Sequence, residues 1–274
     1  ELDLEIRARG HFRHANCDIP PVLLNLKRTQ TPGTLFENQN KLKLVDQCDR
    51  SNPLEQAVLK EYLAYRILNA ITDKSFRVRL LSVTYINTEK QNDSEPRYAF
   101  LIEHKNRLAE RFGLEDLEIE KTSVKSLDGA QLNLTSIFNF LVGNTDFSPV
   151  AGRPDDECCH NYLLFGKNET PQWAVPYDFD QSGFVDAPYA EANPRFRLRD
   201  VRQRLYRGRC VNNDFGEGSL QAFRDQRDAI DALVEEQPGL KRYVRKEVTG
   251  YIDDFYALIN DPRDVGREIL DECI

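Results

Sequence analysis

The sequence predicts an α+β chain of two lobes, a β-rich N-lobe over residues 1–104 and a mainly helical C-lobe over residues 105–274. Three observations predict it. Stretches of alternating apolar and polar residues crowd into the part before Glu103, and long runs of helical periodicity dominate the part after it. A third is that one apolar helix interrupts the N-terminal strands directly after KLKLV.

The elements follow in order. LDLEIRA (Leu2 to Ala8) alternates in period two, PPVLLNLKR continues from Pro20, and KLKLV (Lys41 to Val45) is a short strand. The first helix reads Glu55 to Ile71, with Ser51 or Asn52 as N-cap and Pro53 near its first position. Its apolar positions Val58, Leu59, Tyr62, Leu63, Ile67 and Ala70 recur at helical spacing. Ser75 to Asn87 and Arg97 to His104 read as two strands joined by the polar segment TEKQNDSEP. Asn106 to Lys125 is charged and reads as helix, and the apolar helix from Leu134 to Asn144 has Gly143 as its C-cap. Leu220 to Gln237 and Leu240 to Ile259 are amphipathic helices, with a last short helix after Pro262.

With 274 residues the chain has enough surface to bury a sizeable core. No apolar run approaches the length of a membrane span. A net charge of −8 and a pI near 5.2 argue against nucleic acid as a partner, because phosphate backbones reward clustered Lys and Arg. The one basic cluster lies around Arg195 to Arg209. The chain starts at Glu1 and holds no methionine, which leads us to expect that an N-terminal segment has been trimmed, by signal-peptide removal or at an arbitrary boundary. Six cysteines spread over loops suit disulfides and a periplasmic or secreted location; buried thiols in a cytosolic protein are the other option. The expected pairs are Cys17 with Cys48, and Cys210 with Cys158 or Cys159. No cysteine or histidine spacing suggests structural zinc.

The residues that could carry chemistry lie in LVGNTDF (Leu141 to Phe147), HN (His160, Asn161) and VPYDFDQSG (Val175 to Gly183). Phosphoryl transfer needs a cation on the phosphates, a bound metal and a carboxylate near the nucleophile. Asp146, in a loop after an apolar helix, is the candidate base or nucleophile-orienting group. Asn161 is a neutral oxygen ligand suited to Mg²⁺, and Asp178 is a charged one, with Asp180 as a further metal candidate. Lys43 precedes the first helix and is placed to reach nucleotide phosphates. Glu61 on that helix could hold it by an ion pair, and Lys41, on the same strand face, is the reserve. Taken singly, each has a plainer account as turn former, cap or solvated lysine; only their order along the chain lifts them above it. Rival chemistries are thinner. The histidines lack HExxH spacing, Ser182 lacks a GxSxG elbow, His160 beside Cys159 is a poor nucleophile pair, and Asp178 with Asp180 seldom could straddle a sugar.

LVGNTDFS, HNYLLF and VPYDFDQSG together resemble the catalytic and metal loops of atypical kinases of the spore-coat CotH type, and more distantly those of HipA-type and secreted Golgi kinases. KEYLAYRIL (Lys60 to Leu68) is similar to their lysine-pairing helix, and RARGHFR (Arg7 to Arg13) to their opening strand. The resemblance implies a two-lobed protein-kinase-like fold that uses ATP with Mg²⁺ or Mn²⁺ to phosphorylate an acceptor it does not identify. It implies Asp146 as the catalytic aspartate, Asn161 and Asp178 as metal ligands and Lys43 as the nucleotide lysine. The chain has no GxGxxG loop, leaving Gly33 as the nearby glycine for a turn over phosphates, and its insert SPVAGRPDDECC would close as a disulfide-pinned loop. An inactive pseudokinase or an extracytoplasmic interaction module is the alternative. The segment from Pro188 to Arg209 would then be either a patch for an acidic or phosphorylated acceptor or a solvated arginine face.

Overall fold

A computed structural model describes residues 2–9, 21–37, 39–49, 51–87, 89, 92–93, 95–153, 157–168 and 171–274. The first half is a five-stranded antiparallel sheet in the order β1-β2-β3-β7-β4, built from β1 (Leu4–Ala8), β2 (Val22–Leu26), β3 (Lys41–Val45), β4 (Val78–Val83) and β7 (Arg97–Ile102). The segment linking β4 to β7 carries a small hairpin of β5 (Ile86–Asn87) and β6 (Asn92–Asp93), so the strand read as Ser75 to Asn87 is two strands. Helix α1 (Asn52–Ile71) crosses between β3 and β4. Ser51 stands at its N-cap with extended backbone, and Pro53 sits in its first turn, where a missing N–H costs nothing.

That helix is buried almost all round. Thirteen of its twenty residues are inaccessible, which places it between two layers and not on a surface. Tyr62 and Tyr65 pack on Phe100 of β7. On its other side Gln56 Nε2 donates to Gly239 O at 3.1 Å, and Lys241 N donates to Gln56 Oε1 at 2.9 Å. One hydrophobic core therefore runs from the sheet through α1 into the helical half.

The second half holds α2 (Lys105–Phe112), β8 (Glu115–Asp116), α3 (Gly129–Val142), β9 (Tyr162–Gly166), β10 (Trp173–Pro176), α4 (Gly216–Asp225), α5 (Arg227–Glu235), α6 (Arg242–Ile259) and α7 (Pro262–Val265). β8, β9 and β10 form a three-stranded antiparallel sheet. The helix read over Asn106 to Lys125 ends at Gly113, whose φ of 64° lets it cap the helix. The chain then extends, so that Glu115 and Asp116 pair with Gly166 and Phe165. The long helix read over Leu220 to Gln237 divides at Gln226, whose φ of −100° and ψ of 9° leave the helical region.

Four of the described cysteines pair as Cys158–Cys159 and Cys210–Cys273, and Cys48 is disulfide-bonded as well. The second bond corrects the expected pairing of Cys210 with Cys158 or Cys159. Its cause is the chain's last residue: Ile274 N donates to Gly208 O at 2.9 Å, and Cys210 N donates to Ile274 O at 3.2 Å, so the tail lies alongside Cys210. Cys158 and Cys159 lie instead in a small apolar cluster with Phe147, Tyr162 and Leu164. The expected Cys17–Cys48 pair involves Cys17, outside the described residues, as are Gly10 to Arg13 of the RARGHFR stretch. The disulfides are compatible with an extracellular protein, and no described helix is long and apolar enough to cross a membrane.

Candidate active site

The site is built where α3 ends. Gly143 adopts a φ of 62°, and its N–H returns to Asn139 O and Phe140 O, closing the helix. A Cβ there would meet Tyr251 Oη at 2.2 Å and Gly183 at 3.5 Å, so the position needs glycine for space as well as for backbone. Gly183 N donates to Gly143 O at 3.2 Å and Phe184 N to Val142 O at 2.9 Å, which ties the segment after Asp178 to the end of α3.

Past Gly143, Asn144 folds the loop. Its buried side chain donates to Asn139 Oδ1 at 3.0 Å and accepts from Asp146 N at 3.0 Å. Asn139 in turn donates to Tyr162 Oη at 2.8 Å. Arg207 Nη1 grips the loop from outside, donating to both Thr145 O and Phe147 O at 2.8 Å, with its guanidinium between the rings of Phe147 and Phe196. The residues on either side of Asp146 are therefore clamped, and its side chain stands partly open.

Asp146 has three side-chain neighbours. His160 Nε2 lies 2.8 Å from Oδ1, Asn161 Nδ2 donates to Oδ2 at 3.3 Å, and Arg153 Nη2 stands 3.6 Å from Oδ2. Asn161 Nδ2 also donates to Asp146 O at 2.6 Å. Burial pushes the Asp146 carboxyl up, but the hydrogen bond and charge of His160, then Arg153 and Asn161, more than offset it and hold the group below the usual carboxylate range. It is a carboxylate at neutral pH.

The β9–β10 hairpin carries the rest. A bridge between Ser148 and His160 returns the chain after its insert, and the antiparallel pairing of Tyr162 with Pro176 sets Asn161 beside the start of the Asp178 loop. Tyr177 N donates to Asn161 O at 3.0 Å. Asn161 and Asp178 both hold positive φ, at 55° and 65°, a conformation uncommon outside glycine that tends to collect at functional sites. Asp178 N donates to Tyr65 Oη on α1 at 2.9 Å, and its own side chain is exposed. Phe179 is fully buried against Tyr65 and Phe138. Burying it is worth about 1.5–3 kcal/mol, enough to hold the loop's direction. Asp180 is buried and accepts from Tyr189 Oη at 3.0 Å.

Lys43 enters from the sheet, its Nζ 4.9 Å from the centre of the Tyr177 ring. Its pKa is pushed down to about 8, first by burial, then by the charge of Arg9; Asp178 works against the fall and Lys105 adds to it. An ammonium so depressed is a cation lacking a full counter-charge. Glu61 is buried on α1, one helical turn before Tyr65, and no ion pair joins it to Lys43 among the described contacts. The carboxylate that Lys43 feels is Asp178. Lys41 is exposed on the same strand. Gly33 has a φ of 71° in a turn closed by Thr34 N donating to Thr31 O.

Among the described residues no three His, Cys, Asp or Glu side chains gather into a metal cluster. The donor set still fits Mg²⁺ or Mn²⁺ completed by phosphate oxygens. Asn161 commits its Nδ2 to Asp146, so Oδ1 is the atom it would offer a metal, and Asp178 adds an exposed carboxylate. Arg153, Arg207 and Tyr65 were not singled out for this site in the sequence, and His160, part of the HN motif, was given no role at Asp146. Only His160 carried a signal, its place directly before Asn161. In comparison with known proteins, the chain matches no family model and no curated relative.

Proposed function

We propose that the chain is an ATP-dependent, Mg²⁺-assisted phosphotransferase, a CotH-like atypical kinase acting on an acceptor outside the cytoplasm. The observation that carries this reading is the meeting of Asp146 with Asn161 through the β9–β10 hairpin, next to an Asp178 that faces the charge of Lys43. Lys43 neutralises nucleotide phosphates. Asn161 and Asp178, with Asp180 behind them, would hold the metal, which when bound neutralises charge on the phosphates. Asp146 orients the acceptor hydroxyl and draws its proton as the phosphoryl group moves; its low pKa suits orientation more than strong general-base catalysis.

Transfer of labelled γ-phosphate, with MgATP binding measured in parallel, tests it. Asp146→Asn should keep binding and lose transfer, and Asp178→Asn should lose metal-dependent binding and transfer together. Unchanged transfer in Asp178→Asn would end the proposal. One observation favours a second reading, a nucleotide-binding pseudokinase: His160, Arg153 and Asn161 already occupy both Asp146 oxygens. It expects MgATP binding without transfer to any acceptor.

A further inference from the structure

Between Arg195 and Arg209 the chain carries seven arginines and one acid, Asp200, in a protein of net charge −8. Three of the seven are committed to the fold. Arg202 pairs with Asp186, Arg204 donates to Leu141 O and Tyr251 O, and Arg207 clamps the Asp146 loop. The side chains of Arg195, Arg197, Arg199 and Arg209 make no hydrogen bond or ion pair among the described residues. Arg195, Arg197 and Arg199 are exposed in alternation with the half-buried Phe196 and Leu198. The inward Phe196 stacks on Arg207 at 4.7 Å, which fixes the outward row.

This row begins at the site. Asn193 Nδ2 donates to Thr145 O at 3.2 Å, the carbonyl that Arg207 also holds. Arg207 feels the charges of Arg209 and Arg195, which repel it, and of Asp146, which attracts it. The segment that carries these four guanidiniums is thus tied to the loop of the candidate catalytic carboxylate. A single phosphate engages one or two guanidiniums, whereas an acidic chain can meet several. A cleft of 440 Å³ opens on the row itself, with Arg195, Arg197 and Arg204 in its wall against Glu268 and Glu272, so cations outnumber acids there.

We infer that Arg195, Arg197, Arg199 and Arg209 form a docking surface for an acidic polypeptide segment, which presents its hydroxyl residue to Asp146. The inference rests on the phosphotransferase reading for the word acceptor, while the surface itself is tested by binding. The probe is a fluorescein-labelled Glu-rich peptide with one central serine, set against the same peptide with Gln for Glu and against a single-stranded DNA of similar length. Fluorescence anisotropy is read for the wild type and for an Arg195→Gln, Arg197→Gln, Arg199→Gln triple variant, with MgATP binding measured on both.

The acidic peptide should bind, weaken with added salt, and weaken about tenfold in the triple variant, as three surface charge contacts of ordinary strength imply. MgATP binding should not change in that variant. Equal binding of the acidic and neutral peptides, equal binding in the triple variant, or DNA bound as tightly as the acidic peptide would overturn the docking surface. Loss of MgATP binding in the wild type would overturn the phosphotransferase reading instead, and leaves the peptide result to judge the docking surface by itself.

Discussion

Lys43 offers a test in which charge alone is the variable. With its pKa near 8, about nine-tenths of the ammonium is protonated at pH 7 and about one-tenth at pH 9. The sign in the ligand-free protein is that of a depressed lysine. The folded state holds the proton less tightly than the unfolded chain, so stability rises with pH from about 8 towards the ordinary value of 10.5. A bound polyphosphate reverses the preference, because it favours the charged form. If MgATP binds only the protonated protein, its affinity should fall about tenfold between pH 7 and pH 9, or about 1.4 kcal/mol. Isothermal titration across that range reads the slope. Lys43→Arg keeps its charge throughout and should bind with no such slope. A flat profile in the wild type, or the same slope in Lys43→Arg, would refute the assignment of Lys43 to the phosphates.

Four further outcomes are expected. His160→Gln removes the hydrogen bond and charge that depress Asp146, so the acid limb of the transfer rate should move to higher pH; an unmoved limb would separate Asp146 from catalysis. Arg207→Lys loses the planar guanidinium that lies against Phe147 and Phe196 and aims Nη1 at Thr145 O and Phe147 O, and should lower kcat while leaving MgATP affinity in place. Gly143→Ala forces a Cβ onto Tyr251, and should cost about 1–3 kcal/mol in denaturant unfolding, partly recovered by adding Tyr251→Phe. Opening Cys210–Cys273 with Cys273→Ser frees a sequence separation of 63 residues, for which chain entropy suggests a loss of about 4 kcal/mol; an unfolding midpoint that does not move would contradict it.

Local chemistry made much of the fold readable. KLKLV forms a strand with the bounds its alternation suggests, and Ser51, extended and without a side-chain cap bond, and Pro53 in the first turn mark the start of α1 by backbone preference alone. Gly143 ends α3 for the same reason, since a left-handed cap is a property of one residue. The misreadings came where distant contacts decide. Gly113 breaks a charged stretch so that Glu115 can reach β9, a partner fifty residues away that periodicity cannot see. Cys210 pairs with a cysteine that only the path of the C-terminal tail brings near. In the site, the order of Asp146, Asn161 and Asp178 was legible, but the hold of His160 and Arg207 on the Asp146 loop depends on a hairpin register and a returning loop that no spacing rule encodes.

Tyr65 joins two jobs that are usually kept apart. Its ring fills the core between Phe100 and Phe179, and its hydroxyl receives the Asp178 amide. The aim of a candidate metal ligand is therefore geared to the seating of a helix that spans the molecule from sheet to helical half. A shaved methyl at Leu63 or Leu68, well away from any phosphate, would reach the site as a change in where Asp178 points. Ligand affinity in this protein should serve as a gauge of how well its centre is packed.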